Sequence, residues 1–512
     1  MGAGHQHSRT RCGDDFSVYC TAGHVPLVQR VIDVLVPHRV YHLAGTCPGL
    51  GCALQESRSK FLRVFQKSVV FTSPLVKGES NLYTQCVHVT DAVHQLWCAV
   101  ALMQRLSDLS PSIIWVFLFF TLSLSSATRQ FIWLMALVGL IIFARGPRDF
   151  LATDGVRKFW IVLACFLLPA IFSLFDAINF ERSLSGAVRF LSYGFAVWVL
   201  LQIKLDRSES ARLMSLVGAV MMLWVVDGLV QLLTGYSVFG NPLIELDSGD
   251  TLVTGSLRMG YGSTLAILSP FYLEALRRTG STPLNSILAL PLFAAIVMSG
   301  NEASMIHALA ALAGYAFILR RLESDVQVTP WLLSLLFSFS LAALSGLILS
   351  DTFSASAAGQ AASDAYKAFD YLPIFWNSAW QGFTEHWMNG VGIRGWGSMV
   401  VSMESINVLP VSERWHPHLY ALEVAVDTGI PGLLGYALFF VFLGRRLFDS
   451  RPEVALSSLV VILALFPLNS SVSFYSYFNG NILFLTLALL IALDRDIKPQ
   501  PELDPVNDAQ RG

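Results

Sequence analysis

The sequence predicts an all-α, polytopic membrane protein with about 12 transmembrane helices and one long outer loop. Three observations carry that prediction. Of 512 residues, 54% are hydrophobic and only 14% are charged, whereas soluble chains carry roughly 25% charged residues. The mean hydropathy is +0.56, more apolar surface than one water-soluble core hides, so a bilayer is the natural solvent. Lys and Arg, finally, concentrate in alternate connections between successive apolar runs. The net charge of −2 argues against a nucleic-acid partner.

Residues 1–102 stand apart from the rest. Cys12, Cys20, Cys47, Cys52, Cys86 and Cys98 precede residue 103 and only Cys165 follows; the histidines crowd the same stretch. No sustained helical or strand period appears, nor the charged start, apolar run and small-residue cleavage site of a signal peptide. Zinc binding calls for paired cysteines at short spacing. No CxxC occurs, however, and four residues separate Cys47 from Cys52. We read 1–102 as a non-membrane extension upstream of a start at Met103, where MQRLSDLSPSIIWVFLFF opens the first apolar run.

Twelve apolar runs follow, at 111–127, 131–144, 159–176, 186–203, 213–234, 261–276, 284–299, 303–320, 331–350, 429–444, 455–470 and 480–493. Residues 103–350 hold spans 1–9, and residues 429–512 hold spans 10–12 with a cytoplasmic tail. Several runs fall short of the roughly 20 residues a span needs, and they are expected to extend into their flanks. Numbering the connections alternately puts 16 Lys and Arg on one side, from Arg145 to Lys498. The other side holds six: Arg129, Arg182, Arg258, Lys367, Arg394 and Arg414. By the positive-inside rule both termini are cytoplasmic and the connection 351–428 lies outside.

That connection is the longest, and long loops are often functional. Residues 352–363 are rich in Ala, Ser and Gly and read as flexible. The aromatic-rich 366–388 reads as a helix on the membrane surface. NGVGIRGWG, 389–397, is a Gly-rich turn. Residues 412–428 read as a helix start, with Pro417 in the first turn and Glu423 and Asp427 on one face.

His416 and His418 flank Pro417 at the mouth of the tenth span, and histidine is the usual general base near neutral pH. Two solvated loop histidines are the blander reading of an isolated His-Pro-His. The surrounding sequence weighs against it. HWMNGVGIRGW, 386–396, behind the tryptophan-bearing segment from Trp376, precedes HPHLYALEVAVDTGIPGLLGY, 416–436. In that order the two stretches resemble the motifs of the O-antigen ligase and polymerase family, lipid-linked glycan transferases of the bacterial envelope. The resemblance in architecture runs from Met103 to the end; its specific motifs cover about 376–440.

The resemblance implies glycan transfer at the periplasmic face of the cytoplasmic (inner) membrane. Its donor is a glycan on undecaprenyl diphosphate and its acceptor a lipid A core or another glycan; neither metal nor nucleotide sugar is required. The family's essential histidine falls on His418, which takes or orients the acceptor hydroxyl proton. Arginines stabilise a leaving diphosphate through bidentate contacts, and Arg258, Arg394, Arg414 and Arg189 are the candidates. Expected supporting residues are His416, Glu302, Trp376 and Tyr420. Trp415 and Tyr420 suit a membrane interface, and Pro417 is expected to turn His416 away.

The sequence also departs from the family. Where an SRG triplet is common, Ser299-Gly-Asn-Glu302 stands here; Tyr371 and Leu372 occupy the place of a second arginine, and Leu419 that of an asparagine. Arg189, Asp227, Glu274 and His307 lie in or beside apolar runs, where ionisable groups mark function by default. An Arg189–Asp227 ion pair is the simpler expectation. Two other readings compete with the glycosyltransferase. A transporter or flippase for a lipid-linked substrate would show internal repeats, and none is found. A catalytically dead relative would explain Glu302 and Leu372.

Overall fold

A computed structural model describes residues 110–123, 125–145, 154–203, 205–245, 251–257, 260–280, 287–300, 302–323, 325–354, 358–401, 416–468 and 472–495. The chain divides into two units, Met1–Ala101 and Leu102–Gly512, and the described residues all belong to the second. The expectations for 1–102, Arg258, Arg414 and Trp415 fall outside them.

The second unit is an α-helical membrane bundle. In order, its helices are α1 (Pro111–Thr121), α2 (Ser125–Arg145), α3 (Asp154–Phe172), α4 (Phe180–Leu200), α5 (Arg207–Thr234), α6 (Tyr261–Thr279), α7 (Ala289–Met298) and α8 (Glu302–Leu322). There follow α9 (Asp325–Ser354), α10 (Ala358–Glu385), α11 (Trp396–Val401), α12 (Tyr420–Leu447), α13 (Pro452–Ala464) and α14 (Tyr477–Arg495). A two-stranded antiparallel hairpin, β1 (Ile244–Glu245) with β2 (Thr251–Leu252), is the one sheet among the described residues.

Side chains face outward in the way lipid demands. Ile161, Leu168, Leu223, Leu333, Phe337, Leu434 and Leu438 are all exposed. In water such a surface would drive association; in a bilayer it is the solvated surface. Residues 477–494 of α14 are buried nearly all round, against α13, α3, α4 and α2, as expected of a helix apolar on every side.

Each of the twelve apolar runs holds a helix among the described residues, but they differ in reach. Among the described residues, seven helices are long and apolar enough to cross a bilayer: Asp154–Phe172, Phe180–Leu200, Ser208–Thr234, Ala303–Leu322, Val328–Ser345, Tyr420–Leu447 and Tyr477–Asp494. Pro111–Thr121, Thr128–Ala144, Ala289–Met298 and Pro452–Ala464 are shorter. α13 stops at Ala464, three residues before Pro467, which removes a backbone donor. α6 misses that hydropathy because Ser263, Thr264, Ser269 and Glu274 interrupt it, and residues 261–274 are all buried inside the bundle.

Two expectations need correcting here. Residues 352–363 were expected to be flexible, yet α9 continues to Ser354 and α10 begins at Ala358; alanine's helix propensity outweighs the small-residue composition. No Arg189–Asp227 ion pair forms. Asp227 instead accepts backbone N–H groups from Val238 and Ser256, at 2.6 Å each. One turn on, Gln231 accepts from Thr254 and Gly255 at 2.8 and 2.7 Å. Together they hold the 235–257 segment on the end of α5.

The bundle end remote from His418 is tied by ion pairs. Glu274 is fully buried and accepts from Arg277 and Arg278, each at 2.8 Å. These two arginines reach on to Glu323 at 2.9 Å and Glu453 at 2.8 Å. Asp494 of α14 similarly meets Arg451, Arg446 and Lys158 at 3.0, 3.1 and 3.3 Å. Glu274 thus joins helices. His307 is likewise a packed residue, with Nδ1 2.6 Å from the Ala303 carbonyl and its ring against Phe466.

Candidate functional site

The site is built around a break in α12. Gly429 sits at φ 65°, ψ −160°, so 420–428 and 431–447 are two helices meeting at a kink. The opened backbone is completed by the Gly-rich turn. Val391 N–H donates to Val426 O at 2.8 Å, Gly392 N–H to Asp427 O at 3.0 Å, and Ile430 N–H to Trp387 O at 2.9 Å. Close approach requires the glycines. At Gly390, φ +73°, an added Cβ would lie 2.4 Å from the Thr428 nitrogen, a clash that no L-residue relieves at positive φ.

The turn is clamped from its other side by the start of α4. Ile178 N–H donates to Val391 O at 3.0 Å, Ser183 Oγ to Ile393 O at 3.3 Å, and Asn389 Nδ2 to Asp176 Oδ2 at 3.0 Å. A small apolar cluster of Phe375, Ala379, Val391, Trp396, Met399, Val400 and Val426 underlies it, with Leu372 packed alongside. Leu372 therefore takes a packing role where the family carries an arginine.

Two guanidiniums converge here. Arg394 adopts φ 59°, a left-handed conformation costly for a non-glycine residue. Asp427 holds it there: its carboxylate accepts Arg394 N–H at 2.6 Å and Trp396 N–H at 3.2 Å. Burial pushes the Arg394 guanidinium below its ordinary range, and the Arg182 charge adds to that, with Glu423 and Asp427 opposing. Arg189 is buried on α4. Its Nη1 donates to Tyr475 O at 2.6 Å and its Cζ lies 3.6 Å from the Tyr477 ring centroid, within electrostatic reach of Arg394. Both Nε atoms are buried without a hydrogen-bond partner. Unanswered buried donors are rare in proteins, and here two belong to cations suited to an anion.

His416 lies within electrostatic reach of Arg394, and His418 lies beside His416. His418, at φ 55°, packs on Phe375 with ring centroids 5.6 Å apart. His416 is buried, its ring 4.1 Å from that of His418, and its Nδ1 accepts His418 N–H at 3.2 Å. Burial, then the His418 and Arg394 charges, hold the His416 imidazole well below its usual range. This corrects the expectation that Pro417 turns His416 away. Pro417 also lies before the helix, which begins at Tyr420 with Leu419 as its cap.

His418 and His416 are thus brought together, and electrostatic interactions link His416 to Arg394 and Arg394 to Arg189. Tyr420 is fully buried against Phe474, inside the bundle and not at an interface. Trp376 is 39% exposed, on the face of α10 opposite its neighbour Phe375. Glu302 opens α8, but its side chain lies outside the described residues. Sequence reasoning passed over Arg182 and the acceptors Glu423 and Asp427 as site residues. Arg182 stands seven residues before Arg189, on one helix face, a signal that was legible. Tyr477 carried none.

Comparison with known proteins falls on the same stretch. Residues 287–437 match the family model described as O-Antigen ligase. The match spans α7 to the first half of α12 and so contains His416, His418, Arg394, Asp427 and the break at Gly429. No curated protein matches the chain significantly.

Proposed function

We propose that this protein is an O-antigen ligase-like glycosyltransferase of the bacterial inner membrane, acting at the periplasmic face. It moves a glycan from undecaprenyl diphosphate to a hydroxyl of a lipid A core or a similar acceptor. The observation that carries this is the His416–His418 pair within electrostatic reach of Arg394, all inside the segment that matches the family, with the Arg394 Nε and that of Arg189 on α4 both buried and unanswered.

The chemistry follows from the parts. The acceptor hydroxyl is a weak nucleophile until its proton is taken as the new bond forms. His418 takes that proton, and His416, held neutral, accepts the His418 backbone N–H and fixes the strained loop. The anomeric carbon bonds to the acceptor oxygen as its bond to the diphosphate oxygen breaks. Charge then grows on the leaving lipid diphosphate, where Arg394 and Arg189 meet it with fixed donors in a site of low polarity. Arg258 and Arg414, which lie outside the described residues, are proposed as further donor contacts.

Deleting the gene and comparing lipopolysaccharide bands tests this. A ligase leaves the core without polymer and the lipid-linked polymer intact. Single-repeat products would assign polymerisation instead, and an unchanged pattern would overturn both.

A further inference from the structure

Glu423 and Asp427 sit one turn apart on the short helix 420–428, and both side chains are buried. Neither forms a direct ion pair with Arg189 or Arg394 among the described salt bridges; each instead grips a segment of backbone. Asp427 accepts N–H groups from Arg394 and Trp396. Glu423 accepts Phe474 N–H at 2.8 Å with one oxygen and the Ser473 hydroxyl with the other. That second segment matters because its next residue, Tyr475, supplies the carbonyl that receives Arg189. Thr428, on the same helix, adds a 3.2 Å contact to the Tyr475 hydroxyl.

We infer that Glu423 and Asp427 are positioning residues that set the two arginines from one helix headed by His418: Asp427 sets Arg394 through the Gly-rich turn, and Glu423 sets Arg189 through segment 473–475. The assignment of a diphosphate to those arginines rests on the proposed function; the positioning itself does not. A structural role alone is served by any well-packed pair. The observed arrangement is more specific: two carboxylates bind the backbone on which one arginine stands and the backbone to which the other is tethered. Three ionisable positions, 418, 423 and 427, thereby gain a fixed relation to two cations from distant parts of the chain. Arg189 and Tyr475 are 286 residues apart in sequence.

The test uses the full chain in lipid nanodiscs. Amide hydrogen exchange is followed in Glu423→Gln and Asp427→Asn, and farnesyl diphosphate binding is measured in these and in Arg189→Ala and Arg394→Ala. Asp427→Asn should speed exchange at 391–396 and leave 473–476 protected; Glu423→Gln should do the reverse. Each carboxylate variant should weaken binding roughly tenfold or more. The effects should pair: Asp427→Asn adds nothing to Arg394→Ala but adds its full loss to Arg189→Ala, and Glu423→Gln shows the opposite pattern. Asp427→Glu keeps the carboxyl group but displaces its oxygens, and should reproduce the Asp427→Asn pattern. Equal loosening of both segments by either variant, or additive losses in every combination, would overturn the inference. If the wild-type protein binds no farnesyl diphosphate, the proposed function fails, and exchange alone still decides the positioning.

Discussion

At the scale of single residues, His418 and His416 do different work. His418→Ala removes the proposed proton acceptor while leaving 420–428 able to form. Acid–base contributions are typically about a hundred- to ten-thousand-fold, so transfer should nearly vanish at normal membrane abundance. Full complementation by this variant, with protein level checked by blotting, would rule out the histidine mechanism. His416→Ala should cost about tenfold by losing the acceptor for His418 N–H, and His416→Asn, which keeps an acceptor, should cost less. His416 also predicts a pH dependence. Its folded imidazole titrates well below the usual range, while the unfolded one titrates near ~6.5. Between those values the unfolded chain binds a proton that the folded chain refuses. Stability is therefore complete above about pH 6.5 and falls as pH drops through it. Melting temperatures across that window should flatten in His416→Asn; an unchanged slope would remove His416 as the cause.

At the scale of elements, the break in α12 is the critical feature. Gly429→Ala would put a Cβ 2.7 Å from Met388 O at a positive φ and should destabilise by about 1–3 kcal/mol or more, with loss of activity. Gly444→Ala, where nothing lies within 4 Å, is the control and should be neutral or slightly stabilising. Equal melting of the two would show that the break is not needed. Much of the element layout was legible, because apolar period and length mark helices strongly: the runs, the Gly-rich turn and the helix after His418 all appear in the chain's letters. The helix start read over 412–428 is seen from Tyr420, but the break at Gly429 was not legible, because no apolar pattern marks a left-handed backbone. The 472–476 segment was invisible for another reason. Its contribution is mostly backbone, the Tyr475 carbonyl and the Phe474 N–H with one serine hydroxyl beside them, brought in by tertiary contact from across the chain.

At the scale of the whole molecule, two outcomes follow. Gln360→Cys should react with an impermeant thiol reagent in intact spheroplasts; reaction only after lysis would invert the proposed orientation. Glu274→Gln should lower the melting temperature, because removing one partner of a buried ion cluster costs roughly 3–5 kcal/mol, while activity per folded molecule stays unchanged. Lost activity at normal folding would instead place Glu274 in the chemistry. The left-handed backbone at His418 and Arg394 has a consequence for how this chain can drift. Glycine accepts that conformation freely, and alanine pays about 1–2 kcal/mol for it. Arg394→Gly should therefore melt above Arg394→Ala, and His418→Gly above His418→Ala, although all four have lost their working group. On the proposed function, selection for transfer is then what keeps imidazole and guanidinium at places the backbone would yield to glycine or asparagine. A lineage released from that selection should lose these two side chains first, and grow more heat-stable as it does so.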